Sequence, residues 1–118
     1  MLGRIAIAAA VVGAAGRAQL VLTTGGTGFA ARDVTPEATL DVVERLAPGV
    51  AEAIRTDAIA KTPHGLLSRG VAGIRERTLV VNLPGSPGGC REGFAVLRPA
   101  LKHALGLLAG EDTAHRQT

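Results

Sequence analysis

Leu20–Gly28 (LVLTTGGTG) and Thr78–Gly89 (TLVVNLPGSPGG) are the two stretches whose reading decides the fold. Each opens with a short apolar or β-branched run and ends in a glycine-rich turn. Leu20–Leu22 therefore predicts a strand buried on both faces, and Thr78–Leu83 is the second clear strand. After the first turn, Thr35-Pro36-Glu37 reads as a helix start. Thr35 can cap, Pro36 suits the first helical position, and Glu37 complements the helix dipole. Leu40, Val42, Val43 and Leu46 mark the inner face of that helix, and Pro48-Gly49 stop it. A second helix covers Val50 to about Ala60 and is broken by Thr62-Pro63-His64-Gly65. Leu66–Ile74 reads as a short helix or turn. Phe94, Leu97, Leu101, Leu105 and Leu108 recur at helical spacing within Cys90–Leu108. That segment is one helix or two half-helices, because Pro99 removes an amide donor. Strands alternating with helices predict an α/β domain with a mainly parallel sheet covered on both faces.

Upstream, Met1–Gln19 is apolar and rich in small residues. It is shorter than the ~20 apolar residues a membrane span needs. It has the look of a short signal peptide, yet it runs straight into the strand with no spacer. Leu2, Ile5, Ala9 and Val12 recur at helical spacing, so residues 1–18 predict a helix feeding the strand. The domain proper is then 19–109, followed by a polar tail over 110–118.

A chain of 118 residues suits one domain, and its 47% hydrophobic content allows a proper core. Phe29 and Phe94 are the only aromatics, which argues against a stacking platform for single-stranded nucleic acid. The net charge of +3 comes from arginines scattered among acids, which reads as a solvated surface with an anion site. The absence of a basic stripe argues against a nucleic-acid partner. A single cysteine, Cys90, excludes an internal disulfide and fits a reducing compartment. His64, His103 and His115 lie far apart, and no Cys/His spacing suits a metal.

Function concentrates in the two turns. In such sheets ligands sit at the carboxyl ends of strands, where both turns fall. Thr24-Gly25-Gly26-Thr27-Gly28 permits positive φ and close backbone approach, so that amides and hydroxyls converge on an anion. It is neither a P-loop nor a GxGxxG turn. The second turn, Asn82 to Gly89, is stiffened by Pro84 and Pro87 and opened by Gly85, Gly88 and Gly89. A stiff loop loses less freedom on binding. Arg32 beside the first turn can neutralise phosphate. Asp33 suits either a Mg²⁺ ligand or a local ion pair. Ser68-Arg69 offers a similar hydroxyl and guanidinium pair.

Three stretches in order, LVLTTGGTGFAARDVTPEAT (20–39), LLSRGVAGIR (66–75) and TLVVNLPGSPGG (78–89), closely resemble the molybdopterin adenylyltransferase family. The resemblance covers residues 19–109. It implies a three-layer α/β/α domain, trimeric and cytoplasmic, acting in molybdenum cofactor biosynthesis with a molybdenum insertase as partner. It implies Mg²⁺ and ATP, adenylylation of the molybdopterin phosphate, and release of pyrophosphate. Thr24, Gly25, Gly26, Thr27 and Gly28 would hold phosphate, with Arg32 beside them. Asp33 would position Mg²⁺ or a reacting phosphate. Ser68, Arg69, Asn82, Pro84, Gly85 and Ser86 would line the pterin and nucleotide pockets. No covalent nucleophile is needed, in keeping with a chain that offers no Ser-His-Asp or Cys-His set.

The resemblance also implies a strand, a helix and a second strand ahead of the matched part, carrying another acid. Residues 1–18 contain no Asp or Glu. The expectation is therefore an upstream start, a truncated domain, or a sheet completed by another chain, with low catalytic activity for the chain as it stands. A non-catalytic molybdopterin-binding subunit and an unrelated nucleotide or sugar-phosphate domain are the competing readings.

Overall fold

The computed structural model describes residues 3–110, so all but the first residue of the predicted polar tail lies outside the described residues. Helix α1 (Arg4–Ala15) feeds strand β1 (Leu20–Thr24), as predicted. Helix α2 (Thr35–Leu40), strand β2 (Arg45–Leu46) and helix α3 (Pro48–Lys61) follow. A 3₁₀ turn (Pro63–Leu67), strands β3 (Ala72–Arg75) and β4 (Thr78–Leu83), and helix α4 (Pro87–Leu108) complete the described chain.

The sheet order is β1-β4-β3-β2. β1 runs parallel to β4, from Leu20 opposite Leu79 to Thr24 opposite Leu83. All six residues of β4 are buried, and they alternate between two cores. Leu79, Val81 and Leu83 pack with Ile54 of α3 and Leu97 of α4. Val80 faces the other way, against Val21 and Val11 of α1. Helices thus cover both faces in three α/β/α layers. The Thr78 hydroxyl closes the lower edge, within hydrogen-bonding distance of the Ala18 and Ala15 carbonyls at 2.7 and 3.0 Å.

Four expectations are corrected. The sheet is mixed rather than mainly parallel: β3 pairs antiparallel with both β4 and β2. A tight turn at Glu76, φ 54°, joins β3 and β4 in a hairpin, so a strand stands in the stretch that reads as a short helix or turn. The helix predicted through Leu46 ends at Leu40. Val42 and Val43 both donate to the Thr39 carbonyl, and Glu44 and Ala47 amides then bond to Ile74 and Ala72 carbonyls. Tertiary pairing overrides the apolar spacing there, leaving Leu46 59% exposed. Leu66–Ile74 is a turn that enters β3, with Gly73 lying so close to Val43 that a β-carbon would meet its Cγ2 at 2.7 Å. Finally, α1 buries Val11, with Ile7, Ala14 and Ala15 beside it, while Ile5 is 86% exposed. Nearly every residue of α1 is apolar, so helical spacing alone could not orient it.

Candidate functional site

Because β1 and β4 are parallel neighbours, both glycine-rich turns emerge at the same end of the sheet. The Gly25 amide donates to the Leu83 carbonyl at 3.0 Å, extending the ladder one step beyond β1. Gly25 and Gly26 have φ of 86° and 71°, the left-handed region that glycine tolerates. The turns touch where Gly85 faces Gly25, leaving no room for a side chain on Gly85 without a shift.

Two clefts open beside this contact. One, of about 460 Å³, is lined by Thr27, Gly28, Ser68, Pro84, Gly85 and Ser86 among others. The other, of about 380 Å³, is lined by Thr24, Gly25, Gly26, Arg32 and Asp33 together with Thr23, Thr35 and Ile7. All the predicted site residues except Arg69 and Asn82 therefore line these two clefts. A larger hollow of about 710 Å³ lies at the opposite end of the sheet, around Arg17, Glu76 and Arg77, and contains none of them.

Arg69 and Asn82 act from behind. The Arg69 guanidinium donates through Nε to the Gly28 carbonyl at 2.7 Å and through Nη2 to the Asp33 carbonyl at 2.5 Å. Its Nη1 pairs with Glu37 Oε2 at 2.5 Å, which holds the Glu37 carboxyl below its usual range. The Arg69 backbone amide also donates to the Thr27 carbonyl. Arg69 thus fastens the first turn and the loop behind it to α2. The buried Asn82 amide group donates to the Thr23 and Thr39 hydroxyls at 2.9 and 3.0 Å. Its Oδ1 accepts from the Val71 amide, so its hydrogen-bonding groups are used within the scaffold.

Thr35 was expected to cap α2, yet Val34 occupies that position and Thr35 is the first helical residue. Its amide donates to the Gly26 carbonyl at 3.1 Å, which ties α2 to the first turn. Ser86 is the true cap, its hydroxyl accepting from the Gly89 amide at the start of α4. Asp33 Oδ2 accepts from the Ala30 amide at 3.0 Å. A β-carbon on Gly28 would stand 2.9 Å from that oxygen, so Gly28 makes room for the carboxylate. Ser68 is held by its carbonyl, which accepts from Arg55 Nη1.

The sequence reading missed Phe29, Lys61, His64 and Glu92 as cleft residues. Lys61 Nζ pairs with Asp57 at 2.9 Å and reaches Glu92 at 3.7 Å, which holds its ammonium above the usual range. Only Phe29 carried a signal, its place directly after TTGGTG. Among the described residues, no group of three or more His, Cys, Asp or Glu is placed to hold a metal. No helix among them is long and apolar enough to cross a membrane.

Residues 4–103 match the model of a family described as "Probable molybdopterin binding domain". The chain belongs to this family of molybdopterin-binding domains. It is 45% identical over 91 residues to a molybdopterin adenylyltransferase of Helicobacter pylori strain J99, covering 77% of this chain and 52% of that protein. It is 49% identical over 90 residues to gephyrin of Dictyostelium discoideum, covering 76% of this chain and 12% of that protein. The chain thus spans about half or less of the length of these relatives. Among solved structures, the molybdopterin biosynthesis enzyme MoaB of Thermus thermophilus superposes with a TM-score of 0.84 at 50% identity. The alignment covers 91% of this chain and 69% of that one. The Mog protein of Mycobacterium ulcerans gives a TM-score of 0.83 at 45% identity, over 86% and 68% of the two chains.

Proposed function

We propose that this chain carries the catalytic domain of a molybdopterin adenylyltransferase, transferring the adenylyl group of ATP to the molybdopterin phosphate. The observation that supports it most is the contact of Gly25 with Gly85, which sets two clefts side by side where the turns meet. Two phosphate-bearing substrates can lie in them with their reacting ends adjacent. A molybdopterin phosphate oxygen then attacks the α-phosphorus of ATP. The bond from that phosphorus to the bridging oxygen breaks, and pyrophosphate leaves with the electron pair. Amides of the first turn, with the Thr24 and Thr27 hydroxyls, orient one phosphate. The Gly85 and Ser86 side of the second turn orients the other, and Arg32 offsets charge at the cleft mouth. Rigid placement supplies most of the acceleration, and Arg69 and Asn82 provide the rigidity.

Asp33 fits a Mg²⁺ held chiefly by substrate phosphates, because its Oδ1 makes no hydrogen bond among the described residues. With Asp33 and the phosphates as ligands, that ion would neutralise charge developing on the transferred group. The same reading includes a cytoplasmic homotrimer that passes adenylylated molybdopterin to a molybdenum insertase. It takes residues 19–109 as the molybdopterin-binding domain and residues 1–18 as the lead-in from a longer N-terminal part. In support, β1 lies at the sheet edge with Leu22 38% exposed, where a further strand can add.

A non-catalytic molybdopterin-binding subunit is the second reading, favoured by Asp33 being the one acid that lines its cleft. Molybdopterin titration followed by a pyrophosphate-release assay with ATP and Mg²⁺ separates the two. Release above background supports the transferase. Tight molybdopterin binding without release, in this chain and in one extended upstream, leaves the binding subunit.

A further inference from the structure

Phe29 is one of two aromatic residues in the chain, and it is 67% exposed. Burying a phenylalanine stabilises a fold by about 1.5–3 kcal/mol, so an exposed one forgoes that gain. A single exposed apolar residue is ordinary by itself. Three features set this one apart. It lines the same cleft as Thr27, Gly85 and Ser86 of the phosphate-binding turns. The backbone on both sides of it is pinned, with the Gly28 carbonyl held by Arg69 Nε at 2.7 Å and the Ala30 amide bound to Asp33 Oδ2. Leu67, Ala58 and Pro84 line that cleft as well, so it has apolar wall as well as polar turn.

A cleft with amides and hydroxyls at one part and an aromatic ring on a pinned backbone at another suits a ligand built the same way. We propose that Phe29 is a positioning residue that stacks a fused heteroaromatic ring whose attached phosphate sits on the glycine turns. This rests on the proposed function and goes beyond it by assigning the ring subsite. The ring is the base of the nucleotide or the pterin, and the two share the flat π-face that stacks on phenylalanine. Pinning lowers the ordering lost on binding, so the contact adds to affinity rather than being spent on fixing a loop. Any ring ordered there also orients its phosphate.

The test compares wild type with Phe29→Ala, Phe29→Leu and Phe29→Trp by calorimetry, using AMP, a pterin monophosphate, ribose 5-phosphate and pyrophosphate. Phe29 is exposed, so all three variants should fold, and circular dichroism checks that they do. Stacking on an aromatic side chain predicts affinity about tenfold lower in Phe29→Ala for AMP or for the pterin phosphate. Phe29→Leu, which keeps apolar bulk without a π-face, should lose nearly as much, and Phe29→Trp should recover wild-type affinity. Ribose 5-phosphate and pyrophosphate should bind all four proteins equally. Whichever ring compound responds identifies the ring. Equal affinity of both ring compounds for Phe29→Ala and wild type overturns the assignment while leaving the proposed function standing. Equal losses for all four ligands overturn it too, because Phe29 would then only shape the turn. A wild-type chain that binds none of the four overturns both.

Discussion

Gly85 and Gly25 meet backbone to backbone: a β-carbon on Gly85 would stand 3.0 Å from the Gly25 α-carbon. That contact sets the spacing of the two clefts. Gly85 is exposed, so Gly85→Ala should change stability by less than about 1 kcal/mol. The turns must move apart by a fraction of an ångström, and phosphate-ligand affinity should fall about tenfold, given how steeply recognition depends on placement. Urea titration and calorimetry on one sample check both halves.

Gly26 behaves differently. Its φ is 71°, and an added β-carbon would overlap the Thr35 hydroxyl oxygen. A bulky residue here should damage the fold as well as ligand binding, since it displaces the first residue of α2. The left-handed backbone alone costs Gly26→Ala about 1–2 kcal/mol, and the clash adds to it. In a Thr35→Ala background the added part should shrink, leaving the backbone cost. A double-mutant cycle by chemical denaturation measures the coupling, and additive values would show that Thr35 is not the obstacle.

Asp33→Asn keeps an oxygen acceptor for the Ala30 amide and removes the charge. On the proposed reaction, kcat should fall on the order of 10²-fold while molybdopterin affinity changes little. Pyrophosphate-release kinetics and a binding titration, run side by side in the chain extended upstream, give the split.

Asn82→Ala should be a stability lesion. It strands the Val71 amide and removes a partner from the Thr23 and Thr39 hydroxyls, in a site where Asn82 is 4% exposed. One partly buried donor left unpaired, with the cavity around it, amounts to about 1–3 kcal/mol. The midpoint of urea unfolding should drop accordingly, while the protein that remains folded binds ligand with near wild-type affinity. Loss of affinity at full stability would return Asn82 to the ligand-contacting set.

The Arg69–Glu37 pair gives a pH signature. Arg69 lowers the Glu37 carboxyl below its ordinary value of 4.5, so the ionised form is favoured in the folded state. The stability it contributes is present above the unfolded value and disappears as pH falls through the folded one. Glu37→Gln should therefore be less stable than wild type at pH 7, with the gap closing below about pH 4. Half-exposed and screened by salt, the pair should give a small effect that weakens further in high salt.

The sequence was a good guide wherever local chemistry settles the matter. TLVVNL predicts a strand and forms one, and the last helix was legible from its apolar spacing, although it opens at Pro87 with Ser86 as cap rather than at Cys90. The glycine turns were legible because parallel neighbouring strands bring their ends together. What stayed hidden depended on partners distant in the chain. β2 is two exposed residues whose strand character comes from bonding to β3. Arg69 looked like a phosphate ligand until Gly28, Asp33 and Glu37 took up its guanidinium. Phe29 and Glu92 are 63 positions apart, and it is the parallel pairing of β1 with β4 that sets the loop after β1 beside the start of α4 in one cleft.

The two turns differ in how firmly they are anchored. The second grows from β4, which is paired on both sides and buried throughout. The first grows from β1, which is laddered on one side only. Amide exchange should follow that difference, with β4 opening only in global unfolding and β1 opening through cheaper local excursions. One wall of the clefts is then carried by a central strand, and the other by an edge strand whose turn depends on the Arg69 brace for its stiffness.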